Sequence, residues 1–345
     1  MTLLPAPAVD LASTHLRAIL DIAVEHRLPR QALVVHDTRC ALACTLTEAY
    51  RRNLPDGRFI DFDAATPDAL HAAFRAMQPG DLVVLVQSTN FRLDAFRIRV
   101  ELFKLGLKVI EHVHLARMPG AQGEHYIAAL AYDPAYYRVI GPGLKEALDR
   151  AQQVVVDTGN GCELVFEGGM EAAKLNIGDY RQMANVGGQF PIGEVFTEAR
   201  DLEAVNGQAR IHVFGDANYR VNRPAVPVTL VIEAGRVVRT LDSTAEFDQL
   251  LAAIRAEEGE VWVRELGLGL NRAFTRELTV DDIGTYERMC GVHLSLGAKH
   301  GVYPKPGFKR KDARFHIDVF PITQDVRIDG ASVWFSDAWR LTQAI

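Results

Sequence analysis

Apolar and polar positions follow two alternating patterns over the first 150 residues of the chain. Segments with apolar residues three and four positions apart predict amphipathic helices, and the short, nearly continuous apolar runs between them predict buried parallel strands. The predicted helices cover residues 9–26, 41–53, 66–77 and 94–106. The predicted strands cover residues 32–37, 58–63, 81–88 and 107–114. This alternation predicts an α/β domain with a parallel sheet over residues 1–150.

The pattern changes after residue 152. Residues 153–169 read as two strands around a Thr-Gly-Asn-Gly turn, and residues 227–241 read as a hairpin with Ala-Gly at its turn. Residues 245–257 form one amphipathic helix in this interpretation. The sequence therefore predicts a second domain, residues 151–345, with an α+β fold and a mostly antiparallel sheet.

Composition places the chain among ordinary globular proteins. Of its 345 residues, 48% are hydrophobic and 24% are charged, which argues against disorder. The formal net charge of −6 does not favour nucleic-acid binding, although residues 308–314, FKRKDAR, form a local basic cluster. No apolar stretch is long enough for a membrane span, and the N-terminus does not resemble a signal peptide. We therefore expect no membrane partner and a cytoplasmic location.

Neither the cysteines nor the glycine pattern predicts a further functional site. Cys40 and Cys44 lie at helical spacing among small apolar residues, which indicates packed thiols in a reducing compartment. No glycine-rich phosphate loop follows any predicted strand. Glu111, His112 and His114 occur together in EHVH, but without a third ligand nearby the favoured interpretation is a polar strand end.

Acidic and imidazole side chains recur in four β-prone segments of the second half. In a strand, residues two apart project from the same side, so His316 and Asp318 of ARFHIDVF point together and need a partner. The other segments place Glu194 in GEVFT, Glu265 in RELGLGLN and His293 in VHLSLG. We interpret Glu265 as the end of a strand that runs into a glycine-rich turn. Together these residues are a ligand set suited to one or two divalent metals.

The order of these segments and their local sequences resemble those of the metal-dependent aminopeptidases typified by aminopeptidase T and aminopeptidase S. The resemblance covers about residues 150–325. It implies a hydrolase that acts on peptides, an N-terminal α/β domain, a homodimer and one or two ions of zinc, cobalt or manganese. The ligands that it implies are Glu194, Glu265, His293, His316 and Asp318.

The resemblance also implies catalytic residues, with two departures. The family has a catalytic tyrosine seven residues after the histidine of VHLSLG, where this chain has His300, and Tyr303 lies three residues further on. We expect His300 or Tyr303 to stabilise an oxyanion or donate a proton. The family's acidic general base precedes the same histidine, and Glu287 is the carboxylate close to that position.

Two alternatives remain open at this point. A short relative of these peptidases is a ring-opening dioxygenase for 2,5-dihydroxypyridine, which uses one iron held by two histidines and one aspartate. GFKRKDARFHID resembles the corresponding stretch of that enzyme, and the chain lengths are similar, but Glu265 stands where the dioxygenase has a histidine. The third possibility is a relative without catalytic activity that binds a peptide or small molecule.

Overall fold

The computed structural model describes residues 2–93, 98–308 and 312–341. The α-helices are α1 Ala6–Ala18, α2 Ala41–Asn53, α3 Pro67–Ala76, α4 Ile98–Lys104, α5 Ala121–Ala129, α6 Pro134–Arg150, α7 Ala245–Glu258 and α8 Ile283–Tyr286. A π-helix, Ile19–Ala23, continues α1, and short 3₁₀ helices cover Leu115–Arg117 and Leu202–Ala204.

The strands are short except for one of eleven residues, β10. They are β1 Ala32–His36, β2 Arg58–Asp61, β3 Leu82–Val86, β4 Lys108–His112, β5 Gln153–Asp157, β6 Glu163–Glu167, β7 Lys174–Asn176, β8 Gly187–Gln189, β9 Glu194–Thr197, β10 Val205–Gly215, β11 Val221–Asn222, β12 Val228–Glu233, β13 Arg236–Leu241, β14 Val263–Gly269, β15 Gly291–Leu296, β16 Ile317–Pro321, β17 Asp325–Ile328, β18 Ala331–Ser332, β19 Trp334–Phe335 and β20 Ala338–Trp339.

A small parallel sheet has the strand order β2-β1-β3-β4-β8. All of its strand pairs are parallel, and β1 and β3 are buried along their whole length. Side chains from α3 and α4, including Leu70, Phe74 and Leu102, pack with the strands into one apolar core. Burial on both faces explains why these strands read as continuous apolar runs in the sequence.

A large antiparallel sheet is built from the later strands. Its main path is β18-β17-β5-β6-β10-β16-β15-β14-β9-β7; β11 and β12 also pair with β10, and β13 pairs with β12. The expected mixture of a parallel α/β sheet and a mostly antiparallel α+β sheet is therefore present. The part that matters for chemistry is the run β16-β15-β14-β9, because it carries the acidic and imidazole residues singled out from the sequence.

Most of the predicted elements are confirmed, with boundary shifts of a few residues. The helix at 41–53 and the hairpin turn at Ala234 and Gly235 lie where the pattern places them. Thr66 caps α3, since its hydroxyl accepts a hydrogen bond from the amide of Ala69. Residues 94–97 of the predicted fourth helix and residues 309–311 of the basic cluster lie outside the described residues.

One interpretation of the second half is wrong. Glu265 does not end a strand, because β14 continues through Gly267 to Gly269. These glycines are strand residues, and the side chain packed over Gly267 explains the need for glycine there, as described below.

The chain forms two compact units. The first contains residues 1–135, 178–192 and 279–281, and the second contains residues 136–177, 193–278 and 282–345. The chain therefore passes between the units more than once, whereas the sequence predicts a single boundary near residue 150. Every residue of the predicted metal centre belongs to the second unit.

Within the described residues, no helix combines the length and the apolar character that crossing a membrane requires. The four cysteines form no disulfide bond. Cys40 accepts a hydrogen bond from the amide of Ala43 at the start of α2, and Cys44 is buried within that helix. Neither contact departs from the packed thiols that the sequence predicts.

Candidate metal centre

Four neighbouring antiparallel strands bring the predicted ligands onto one face of the large sheet. Ser295 of β15 pairs with Glu265 of β14 on one side and with Asp318 of β16 on the other. One step along the same face, His293 pairs with Gly267. Glu194, at the start of β9, pairs with Gly269. Since directly paired residues of adjacent strands project from the same side, the pairing alone gathers these side chains.

Glu194, Glu265 and His293 form the tightest group. His293 Nε2 lies 3.3 Å from Glu194 Oε1 and 3.2 Å from Glu265 Oε1. One ligand atom from each residue lies within 4.8 Å of the other two, which is close enough for all three to bind one ion. The residues are only 5%, 6% and 1% exposed, respectively. Two buried carboxylates beside one imidazole need a cation or protons for charge compensation.

A second group lies on the other oxygen of Glu265. His300 Nε2 is 2.8 Å from Glu265 Oε2, and the rings of His300 and His316 are 5.9 Å apart. His316 Nε2 is in turn 3.2 Å from Asp318 Oδ1, so the His-x-Asp pair does point together. Glu265 thus stands between the two groups, with one carboxylate oxygen directed at each.

Backbone contacts distinguish the roles of His316 and His300. His316 Nδ1 lies 3.1 Å from the carbonyl oxygen of Lys299, so it carries the proton and leaves the lone pair of Nε2 free for a metal. His300 Nδ1 instead accepts hydrogen bonds from the amides of Val302 and Tyr303, at 3.2 and 3.4 Å. Its proton must therefore sit on Nε2, toward Glu265. The backbone contacts therefore leave Nε2 of His316 as an acceptor and make Nε2 of His300 a hydrogen-bond donor.

Gly267 provides the space for His293. A Cβ atom built on Gly267 would lie 2.0 Å from His293 Cε1, which no side chain could tolerate. The imidazole therefore lies directly across β14, and this position brings Nε2 to both glutamates. The sequence prediction does not include Gly267, although a glycine inside an alternating strand is the expected signal of a close approach.

Arg288 links two acidic residues of the site and is not among the residues predicted from the sequence. Its Nη1 atom lies 3.4 Å from Glu194 Oε2 and forms an ion pair with Glu287 Oε1. The Arg288 side chain is 7% exposed, whereas that of Glu287 is 20% exposed. Glu287 follows α8, a short helix that Asp282 caps through the amide of Thr285. The predicted general base is thus held next to the metal centre and retains access to water.

Tyr303 is placed differently from the other predicted catalytic residues. Its ring is 5.0 Å from the ring of His300, but its hydroxyl donates a hydrogen bond of 2.8 Å to the carbonyl of Ala172. The residue is buried, and burial raises the pKa of its hydroxyl above the usual value. In this conformation Tyr303 supports His300 by packing and does not point its hydroxyl at Glu265.

A buried ion pair holds the segment that carries His300. Arg264 pairs with Glu198, and both side chains are almost fully buried. The same guanidinium donates to the carbonyl of Ala298 and, at 2.9 Å, to the carbonyl of Tyr303. Burial raises the pKa of Glu198, against the pull of Arg264. The ion pair therefore ties the backbone on both sides of His300 to β14.

Charge coupling within the site is strong. Burial opposes the charged form of His293, yet hydrogen bonds to Glu194 and Glu265 raise its pKa to about 10. Burial likewise opposes the charged form of His316, while Asp318 raises its pKa to about 9. Burial would raise the pKa of Glu265, but His293 and His300 hold it well below its ordinary value. The carboxylates of the site thus strongly favour positive charge on the neighbouring imidazoles, His293 and His316.

The donor set fits a bound metal. Asp318 Oδ1 is among the buried polar atoms that have no partner with hydrogen-bond geometry within the described residues. Such atoms are costly to bury without compensation. Carboxylate oxygens and imidazole nitrogens together suit zinc, cobalt, manganese or iron. The five proposed ligands Glu194, Glu265, His293, His316 and Asp318 would hold the metal.

The comparisons with known proteins show the fold. No family model matches the sequence, and no curated protein matches it. The 2,5-dihydroxypyridine dioxygenase from Pseudomonas putida KT2440 matches with a TM-score of 0.65 and 16% identity over 98% of each chain. Wild-type AmpT from Thermus thermophilus matches with a TM-score of 0.57 and 13% identity, over 96% of this chain and 99% of that chain. The chain shares their fold.

These two proteins correspond to the two groups that the sequence segments resemble, one a dioxygenase and the other an aminopeptidase. The resemblance is therefore confirmed at the level of the fold. One fold can support more than one chemistry, so the shared fold does not give the activity of this chain. That distinction depends on the side chains of the candidate metal centre.

Proposed function

We propose that the protein is a metal-dependent hydrolase and, within that class, an aminopeptidase that removes N-terminal residues from peptides. The position of Glu265 supports this most directly. Its Oε1 atom lies 3.2 Å from His293, and its Oε2 atom lies 2.8 Å from His300, whose ring is 5.9 Å from that of His316. The carboxylate therefore stands between His293 and the pair of His316 and Asp318. A carboxylate shared in this way suits two neighbouring divalent cations.

The charge of the site supports the same proposal. Glu194, Glu265 and Asp318 contribute three buried carboxylates, a set rich in negative charge for a single ion. Glu194 and His293 would hold one ion, His316 and Asp318 would hold the other, and Glu265 would bind both. When bound, such ions lower the pKa of a water molecule and polarise the scissile carbonyl.

The residues around the ligands have separate tasks in this proposal. Glu287, which is partly exposed and paired with Arg288, accepts the proton of the attacking water and later passes it to the leaving amine. His300 Nε2–H donates a hydrogen bond to the developing oxyanion, the role for which the family has a tyrosine. Tyr303 keeps His300 in place through ring contact.

Metal content and hydrolysis test the proposal together. The protein is purified without chelator, its metal is measured by elemental analysis, and aminoacyl-anilide hydrolysis is assayed after metal removal and after restoring zinc, cobalt or manganese. We expect up to two ions per chain and activity that returns with metal. Glu265→Gln should lose metal and lower kcat/KM by at least about 100-fold, since it removes the shared ligand.

Glu246→Gln is the matched control, because Glu246 is an exposed carboxylate on α7, outside the metal centre. This variant should keep the metal content and kcat/KM of the parent. A parent protein without metal, or a Glu265→Gln variant with undiminished metal, would refute the proposal. The homodimer and the cytoplasmic location stay predictions.

The second candidate is a ring-opening dioxygenase with one iron ion. The structural match to the dihydroxypyridine dioxygenase, over 98% of each chain, favours it. His316 and Asp318 would then be ligands together with His293. The proton on His300 Nε2 counts against His300 as the second histidine. Oxygen uptake with iron(II) and 2,5-dihydroxypyridine, without anilide hydrolysis, would establish this activity. Metal content with tight peptide binding but no turnover would instead indicate a binding protein.

A further inference from the structure

Ser295 stands in the middle of the candidate metal centre, between two of the proposed ligands. It pairs with Glu265 on the strand to one side and with Asp318 on the strand to the other, so the three side chains project from one face of the sheet. Its neighbours along β15, Leu294 and Leu296, are fully buried and project from the opposite face. The strand therefore directs one short hydroxyl group toward the metal centre.

The hydroxyl group of Ser295 is completely buried. The residue is 0% exposed, and no atom within residues 2–93, 98–308 and 312–341 lies in hydrogen-bond geometry with its Oγ atom. A hydroxyl can donate one hydrogen bond and accept two, and burying it without any of them is unfavourable. Alanine would fill nearly the same space without this cost. The serine at this position therefore points to a ligand.

The surroundings of Ser295 indicate the chemistry of that ligand. Glu265 and Asp318, on either side of it, can only accept hydrogen bonds when they are ionised, so the serine hydroxyl is a donor among acceptors. Neither carboxylate accepts its proton in the structure. A metal cation cannot accept the proton either, since a cation has no lone pair to offer. The ligand must be a small acceptor that a cation holds in the centre, and a water molecule fits this description.

We propose that Ser295 is a further residue of the metal centre and that its hydroxyl donates a hydrogen bond to a water molecule bound to the metal between Glu265 and Asp318. The inference rests on the metal-dependent function proposed above, because it requires a cation in the centre. Ser295 replaces none of the five ligands. It fixes the position of the water molecule, and this contact strengthens the binding of the ion.

A Ser295→Ala variant tests the proposal through metal affinity. Equilibrium dialysis with zinc or cobalt should show about tenfold weaker binding, because the variant removes an outer hydrogen bond but no ligand. The metal-free variant should be at least as stable to denaturant as the metal-free parent, since the hydroxyl that it loses has no partner within the described residues. A packing defect would instead destabilise both the metal-free and the metal-loaded protein.

Ser243→Ala is the matched control. Ser243 lies outside the metal centre, immediately before the Thr244 cap of α7, and its buried Oγ atom also has no hydrogen-bond partner in the described part of the chain. This variant loses the same kind of group and should keep the metal affinity of the parent. A crystal structure of the cobalt-loaded parent adds a direct measurement, with a water molecule expected within about 3 Å of Ser295 Oγ and bound to the ion.

Equal metal affinities for Ser295→Ala and Ser243→Ala, or a cobalt-loaded structure in which Ser295 Oγ contacts no bound water, would overturn the inference. The proposed function would still stand in that case if the parent binds metal and hydrolyses anilides. A parent that binds metal with the expected dependence on Ser295, but hydrolyses no anilide, supports the inference and refutes the hydrolase activity. A parent that binds no metal overturns both.

Discussion

At the scale of single residues, the geometry of the candidate metal centre depends on a glycine as much as on its acids. His293 reaches both Glu194 and Glu265 because its ring crosses β14 at Gly267, where a side chain would collide with it. The backbone carbonyl of Lys299 fixes the proton of His316 on Nδ1, and Nε2 of that imidazole faces Asp318. Neither Gly267 nor Lys299 is of a residue type that usually signals metal binding.

Gly267→Ala should weaken metal binding without replacing any ligand. The new methyl group must displace the His293 ring, so we expect metal affinity to fall by about 10- to 100-fold. Equilibrium dialysis with zinc or cobalt measures the effect. Gly188→Ala is the control, since an added Cβ there meets nothing closer than 3.9 Å. Unchanged metal affinity in Gly267→Ala would show that His293 does not bind metal in the position described.

The sequence singles out acids and imidazoles that the structure places near one another, but it does not single out the residues that orient them. Glu194, Glu265, His293, His316 and Asp318 stand out because ionisable groups are unusual in β-prone apolar runs. Arg288 and Gly267 do not stand out, since an arginine beside a glutamate and a glycine beside a leucine are common. Their roles depend on strand register, which no local pattern specifies.

At the scale of elements, local patterning predicts most helices and strands because each has a clear period or turn. The hairpin formed by β12 and β13 has its Ala234-Gly235 turn where expected, and α2 has the predicted bounds. The exception is β14. Its glycines resemble a turn signal, but they are present because neighbouring atoms approach closely, such as the Met289 carbonyl oxygen at Gly269. Only the packed structure distinguishes these two reasons for a glycine.

The segment after β15 depends on one buried ion pair. Arg264 donates to carbonyl oxygens at Ala298 and Tyr303 and neutralises Glu198. Arg264→Met should lower the free energy of unfolding by about 3–5 kcal/mol, because it leaves two carbonyls without this donor and the buried Glu198 carboxylate with only Lys305, at 3.7 Å, as a cationic partner. Chemical denaturation monitored by tryptophan fluorescence measures the loss.

The double variant Arg264→Met with Glu198→Gln separates charge from packing. Removing the orphaned charge should restore part of the lost stability, so the double variant should be more stable than Arg264→Met alone. Arg239→Gln, on an exposed strand position, should change stability by less than about 0.5 kcal/mol. A double variant as unstable as the single one would exclude an uncompensated charge as the cause.

At the scale of the whole molecule, the sequence predicts the two kinds of sheet but not how the chain is shared between them. Strand β8, Gly187–Gln189, pairs in parallel with β4 although it lies far along the chain, after three strands of the antiparallel sheet. It is three residues long and has no apolar side chain, so periodicity cannot detect it. Long-range pairing of this kind is specified by tertiary packing rather than by local composition.

His112 shows how a buried polar group can contribute to the stability of the first unit. Its Nδ1 and Nε2 atoms lie 2.8 Å from the hydroxyls of Tyr126 and Tyr50, respectively. Because Tyr126 donates its own proton to the carbonyl of Phe190, Nδ1 of His112 carries the proton and Nε2 accepts from Tyr50. The polar strand end expected at EHVH is thus a fully paired, buried neutral imidazole.

Acid should therefore destabilise the protein through His112. Burial lowers the pKa of His112 to about 3, so between pH 6.5 and 3 the unfolded chain binds a proton that the folded chain excludes. The stabilising contribution is complete above pH 6.5 and is lost as the pH falls, by as much as about 1.4 kcal/mol per pH unit. His112→Gln cannot titrate, so it should be less stable at pH 7 but lose stability more slowly on acidification. Denaturant unfolding at half-unit pH steps compares the two slopes, and parallel curves would show that His112 does not titrate on unfolding.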